Sequence, residues 1–206
     1  MKRRTALQRL VAGGAALAAG ALPYGIARLL APEVIPGVAA APEERIRPPG
    51  ALHDDDRFVR ACIGCGLCGE VCPPRCIRFY THEGGDRTNT PFIDPARKAC
   101  ILCRKCMEVC PTEALTETPL QEIDMGIAQI DRSACYPWVD RGICGACVSI
   151  CPLGERAIGF KMWNQYQPIV KQGCVGCGLC VEVCPEPSLP IRIVKRSEGT
   201  VARHRI

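Results

Sequence analysis

From Phe58 onward the chain repeats one pattern about every 35–40 residues: a short apolar run, a cysteine-bearing loop, a half-turn of helix and a Cys-Pro stop. Between the repeats, alternating apolar residues predict short strands. Ile77-Arg78-Phe79-Tyr80 and Pro91-Phe92-Ile93-Asp94 flank a Gly-Gly-Asp turn, and Gly126 to Asp131 reads as a strand entering the third repeat. Ala157 to Phe160 and Pro168 to Val170 do the same before the fourth, and Ile191 to Val194 closes the series. The pattern predicts an α+β fold with little regular secondary structure, made of short hairpins and half-turn helices.

The N-terminus follows a different pattern. Lys2-Arg3-Arg4 with Leu7 resembles a twin-arginine export signal, although Ala6 stands where Phe is usual. Leu10 to Leu22 fits the apolar region of a signal, and Ala39-Ala40-Ala41 offers a small-residue cleavage site. An uncleaved anchor is the alternative, with Ile26 to Leu30 extending the apolar stretch. The expected division is a signal over 1–41, an exposed Pro-rich linker over 42–57, a four-motif region over 58–194 and a loose tail over 195–206.

Composition then asks how such a chain is held together. Aromatic residues are scarce, Gly and Pro are frequent, and 17 of the 206 residues are cysteine. Chains of this kind are stabilised by disulfides or metals rather than by a large core. Many free thiols would scramble in an oxidising compartment. The twin-arginine route exports folded proteins, so metal loading in the cytoplasm followed by export to the periplasm is the consistent reading.

The cysteines fall into four motifs. Motif one is Cys62-x2-Cys65-x2-Cys68-x3-Cys72-Pro73, motif two Cys100-x2-Cys103-x2-Cys106-x3-Cys110-Pro111, and motif four Cys174-x2-Cys177-x2-Cys180-x3-Cys184-Pro185. This is the bacterial ferredoxin spacing, in which three close thiolates wrap one cubane and the fourth ligates the other cluster of a pair. Gly64, Gly66, Gly176 and Gly178 let the loop backbone approach, and the Pro ends the short helix. Ile63, Leu67, Val71, Val109, Val175, Leu179 and Val183 are the expected apolar sheath. Motif three is Cys135-x8-Cys144-x2-Cys147-x3-Cys151-Pro152, with Tyr136 to Ile143 inserted. Cys135 follows Ile130-Asp131 as Cys100 follows Ile93-Asp94 at a similar remove, which favours it as a ligand over a three-ligand site.

Sixteen cysteines are thus candidate iron ligands for four [4Fe–4S] clusters in two bacterial-ferredoxin-like 2[4Fe–4S] modules, and Cys76 is surplus, a small buried or partly exposed thiol. Zinc sites use separated pairs rather than triplets with a following Cys-Pro. His53, His82 and His204 are scattered, and Asp54-Asp55-Asp56 is expected to be a solvated turn. No catalytic residue or substrate site is expected, so the chain reads as an electron carrier.

The formal charge of +5 shrinks to +1 when 1–41 are removed, because five Lys/Arg and one Glu leave. Four oxidised clusters with their thiolates would bring it to about −7. An acidic holoprotein gives no support to nucleic-acid binding.

The leader, the stretch Arg47-Pro48-Pro49-Gly50-Ala51, the four motifs and Met125-Gly126-Ile127-Ala128 together resemble the NapG/MauM family of exported ferredoxin-type proteins. The resemblance implies a periplasmic protein at the outer face of the inner membrane, with peripheral membrane association. It implies a membrane iron–sulfur, quinol-oxidising partner of the NapH/MauN kind and a periplasmic redox acceptor such as nitrate reductase. Alternatives are a tightly bound electron-transfer subunit of a molybdenum oxidoreductase, or a maturation or electron-transfer factor for methylamine dehydrogenase. The motifs can pair sequentially (one with two, three with four) or nested (one with four, two with three). The exported four-cluster subunits of molybdenum oxidoreductases are nested, which favours that order.

Overall fold

The computed structural model describes residues 45–161 and 166–196. The twin-arginine leader, its apolar run and its cleavage site lie outside these residues. No helix among the described residues is long and apolar enough to cross a membrane.

Helix α1, Asp55–Ala61, begins where Asp54 caps it by accepting the Arg57 N–H at 2.7 Å. Asp55 and Asp56 sit in its first turn and Arg60 in its last, each complementing the helix dipole. The acidic triplet is therefore a helix start rather than a solvated turn. The helix buries Phe58 and ends at Cys62.

Four single-turn helices follow, each carrying the third cysteine of a motif: α2 Leu67–Glu70, α3 Lys105–Glu108, α4 Ala146–Ser149 and α5 Leu179–Glu182. They pack in two pairs, α2 with α3 and α4 with α5. Each pair shares a hairpin. In module one, β1 (Ile77–Phe79) pairs antiparallel with β2 (Pro91–Ile93), in the register Ile77 to Ile93. In module two, β4 (Ile158–Phe160) pairs with β5 (Pro168–Val170), in the register Ile158 to Val170. The Gly-Gly-Asp turn between β1 and β2 is present, and Tyr80 packs on Phe92 with ring centroids 4.5 Å apart.

The closing strands differ from the sequence reading in what they join. β3 (Ile127–Ile130) pairs with β6 (Ile191–Val194) over four residues, bringing the two ends of module two together. Ile127 is 2% exposed and Ile193 4%, so this ladder anchors the module's core. In module one the corresponding role falls to residues 46–52, where Ile46 exchanges backbone hydrogen bonds with Ile93 (2.9 and 2.8 Å) and Ala51 bridges Leu115.

The described part of the expected linker is therefore a strap over the core, not an exposed connector. Ile46 is buried, and Pro48 and Pro49 are among the most deeply buried residues. Arg47 tightens it by donating to the carbonyls of Leu52 and His53 and pairing with Asp55 at 3.4 Å. The expected loose tail is also tied down at its start. Arg196 donates to the Cys174 carbonyl and pairs with Asp124 at 3.3 Å, while Lys195 pairs with Asp55.

Candidate iron–sulfur centres

The short helices decide where the thiols meet. Each Cys-x2-Cys-x2-Cys loop turns through left-handed backbone just before its helix, at Gly66 (φ 80°) and Gly178 (φ 87°). At Gly178 a side chain would also collide with Pro95, a Cβ falling 2.6 Å from its ring, so glycine is needed for approach as well as for φ. Motif two reaches the same shape without glycine, with Leu102 at φ 59° and Arg104 at φ 64°.

The structure gathers the sixteen motif cysteines into four cages, and the fourth cysteine of each motif crosses to its neighbour. In cage one Cys62, Cys65 and Cys68 surround a cavity completed by Cys110 of motif two. Cage two joins Cys100, Cys103 and Cys106 with Cys72 of motif one. Cage three joins Cys135, Cys144 and Cys147 with Cys184. Cage four joins Cys174, Cys177 and Cys180 with Cys151 of motif three, which lies near all three. The pairing is thus sequential, and the nested order favoured by resemblance is corrected. The hairpins β1–β2 and β4–β5, with the packing of α2 on α3 and of α4 on α5, set consecutive motifs face to face.

Motif three conforms despite its insertion. Tyr136–Trp138 forms a turn of 3-10 helix, the Trp138 indole N–H donates to the Pro168 carbonyl at 3.1 Å, and Arg132 lies 4.2 Å over the ring. The inserted residues are pinned to β5, which leaves Cys135 in the wall of cage three with Cys144, Cys147 and Cys184.

The cage chemistry tests the fit of an iron–sulfur cluster. Burial, and then the neighbouring thiols, push Cys68 up to about 11 and Cys106, Cys147 and Cys177 up to about 12. Burial drives Cys180 the same way. Four such thiols can ionise together only around a positive core. Backbone N–H groups face the sulfurs as well, Leu102 to Cys100 Sγ at 3.3 Å and Ala128 to Cys174 Sγ at 3.5 Å, which suits anionic sulfur. Among the described residues no three His, Cys, Asp or Glu side chains close on a single-ion site; the thiols ring cavities instead. The donor set, its crossing pattern and its amides fit [4Fe–4S] cubanes.

The expected apolar sheath is only partly sealed from solvent. Val175 is buried, but Ile63 is 67% exposed, and Leu67 and Val183 are also on the surface. Ile63 and Leu67 nonetheless line cage one, and Phe58, Phe79 and Leu115, which motif spacing does not reveal, complete its apolar wall. His53 and His82 are exposed and line none of the described cages, and His204 lies outside the described residues.

A family model of the 4Fe-4S dicluster domain matches residues 61–114 and 99–155, and a second of the same description matches 128–185. The methylamine utilization ferredoxin-type protein MauM of Methylophilus methylotrophus is 32% identical over 166 residues, spanning 75% of this chain and 72% of the relative. This chain belongs to the MauM/NapG family of ferredoxin-type proteins. MauM of Methylorubrum extorquens is 31% identical over 83% of this chain and 82% of its own length. The ferredoxin-type protein NapG of Escherichia coli is 28% identical over 81% and 78%. As a MauM/NapG member the chain is an iron–sulfur electron-transfer protein, and the matches at 61–114 and 128–185 coincide with the two modules.

The cages of this MauM/NapG-type chain stand in a row that its motif order does not announce. Cys106 of cage two and Cys68 of cage one sit on α3 and α2, which pack against each other. Cys100 of cage two donates its N–H to the Cys177 carbonyl of cage four at 3.0 Å. Cys180 of cage four has Cys147 of cage three beside it. The spatial order is one, two, four, three. At the central contact Glu182 accepts from Lys98 at 2.5 Å and from the Ala99 N–H at 2.7 Å, a clasp between residues more than eighty apart that no local signal marks.

Proposed function

We propose that the protein relays electrons in the periplasm through four [4Fe–4S] clusters held by the sixteen motif cysteines. The observation that carries this reading is the contact of Cys100 with Cys177, which joins two paired cages to two others in one row. One-electron exchange is what the clusters supply when bound. The chain's part is to hold them: the thiols of cages one and three form the ends of the row, the hairpins set the spacing within each module, and Glu182 with Lys98 fixes the spacing between modules. Amides at Cys100 and Cys174 and apolar walls set the potentials.

Membership of the MauM/NapG family, together with the twin-arginine-like leader, supports export of the folded, loaded protein. It also supports a place at the outer face of the inner membrane, electron receipt from a quinol-oxidising iron–sulfur partner of the NapH/MauN kind, and delivery to a periplasmic reductase. Iron and sulfide analysis with EPR titration of the exported protein is expected to give about sixteen irons per chain. Far fewer would end the four-cluster reading.

The identities of 31–33% to proteins named for methylamine utilization favour a second reading, a factor serving methylamine dehydrogenase. A deletion strain separates the two. Loss of the mature dehydrogenase itself supports the second, and loss only of electron supply to a periplasmic reductase supports the first.

A further inference from the structure

Cage two contains five thiols where a cubane offers four corners. Beside Cys72, Cys100, Cys103 and Cys106, its wall includes Cys76. Every other cysteine of the chain belongs to one of the four motifs. Cys76 is 2% exposed, its Sγ lies 3.5 Å from that of Cys72, and its side chain also meets Cys100. Two features hold it there. The Arg75 N–H closes a turn onto the Cys72 carbonyl at 3.0 Å, with Arg75 in left-handed backbone at φ 52°, and the next residue, Ile77, is locked in register with Ile93. The loop after Cys72 therefore doubles back to set a second sulfur against the first.

Cages one and three are each completed by the fourth cysteine of the paired motif, Cys151 lies near the three thiols of cage four, and Cys72 completes cage two in the same way, so Cys76 is not required as a ligand. A thiol has one S–H to donate. A hydrogen bond to a ligand sulfur draws off negative charge and favours the reduced cluster, which carries one more negative charge. Burial strengthens such a bond.

We propose that Cys76 is an unligated hydrogen-bond donor to cage two, giving its S–H to the sulfur of Cys72 or Cys100 and holding the potential of the cluster bound there above what the four ligands alone would set. This rests on the reading of the cages as cluster sites. It places the tuned centre in the interior of the row, next to the crossing between modules.

The test is EPR redox titration of the full exported chain carrying Cys76→Ala or Cys76→Ser, after iron and sulfide analysis. Both variants are expected to keep the wild-type iron content. In Cys76→Ala one step should move to lower potential, its reduction equilibrium falling by up to about tenfold, or about 59 mV for one electron. Cys76→Ser retains a donor and is expected at or above the wild-type value. The proposal is overturned if the alanine variant titrates like wild type, if both variants shift alike, or if all steps move together. Loss of one cluster's iron from Cys76→Ala would also overturn it, by making Cys76 a ligand. A wild-type chain short of iron would instead defeat the cage reading itself, so the two failures are separable.

Discussion

The two modules share one plan and close it by different means. Each has a hairpin between its motifs, but module two seals its ends with the four-residue ladder of β3 and β6, whereas module one uses a strap with isolated bridges at Ile46 and Ala51. Pro48 and Pro49 lack the N–H groups a ladder needs. Burial of those prolines and the Arg47 contacts to Leu52, His53 and Asp55 take over. The lesson is that a cage needs its loop backbones held, and either continuous strand pairing or a packed, side-chain-anchored strap meets that need.

The largest effect should come from breaking the crossing within a module. Cys110→Ala is expected to remove the cluster of Cys62, Cys65 and Cys68, taking about four irons, while leaving the other three motif-two cysteines loaded. Nested ligation would instead leave the motif-one cluster intact, so iron analysis of this variant with EPR sorts the two.

Next is the support of the strap. Ile93 is fully buried and is the partner of both Ile46 and Ile77. Ile93→Ala should cost about 3 kcal/mol, read as a lower urea midpoint for loss of module-one cluster absorbance, with module two nearly unchanged. Equal loss from both modules would show that they unfold as one unit.

The junction clasp is worth less. Burial raises the Glu182 carboxyl, but the hydrogen bonds from Lys98 and Ala99 and the Lys98 charge outweigh it, so its pKa is lowered from the ordinary value. A lowered folded pKa gives stability that is fully present above the unfolded pKa of about 4.3 and is lost as pH falls through the folded value. Lys98 is 51% exposed, so solvent screening limits the contribution to about 1 kcal/mol or less. Glu182→Gln should lower the urea midpoint near neutral pH and flatten its acid dependence. An unchanged acid slope would place the titration elsewhere.

The smallest effect concerns the loops. Arg104 and Gly178 occupy matching left-handed positions before α3 and α5. The left-handed conformation costs a side-chain-bearing residue about 1–2 kcal/mol, and glycine's extra unfolded freedom returns about half of that. Arg104→Gly should therefore stabilise module one by about 0.5 kcal/mol in the same urea measurement.

Much of this was legible in the chain. The strands at Ile77, Pro91, Ile127, Ile158, Pro168 and Ile191 fall where alternating apolar residues predict them, because each is short and bounded by turn residues. The candidate site was legible as sixteen positions, since ligand spacing within a loop is a local property. Which thiols share a cage was not, and resemblance pointed to the wrong pairing. The strap and the first tail residues are not legible locally, because prolines and isolated charges look exposed until their partners, Ile93 and Asp124, are placed.

By itself the sequence determined the four motifs, their loops, the hairpins and the surplus thiol, all of which depend on residues within a few positions of one another. Only the tertiary structure decided the sequential crossing, the row of cages and the clasp of Lys98 on Glu182. It also decided the place of Cys76 beside Cys72 and Cys100. Those depend on packing between segments tens of residues apart, and the free energy of such contacts has no local trace in the chain.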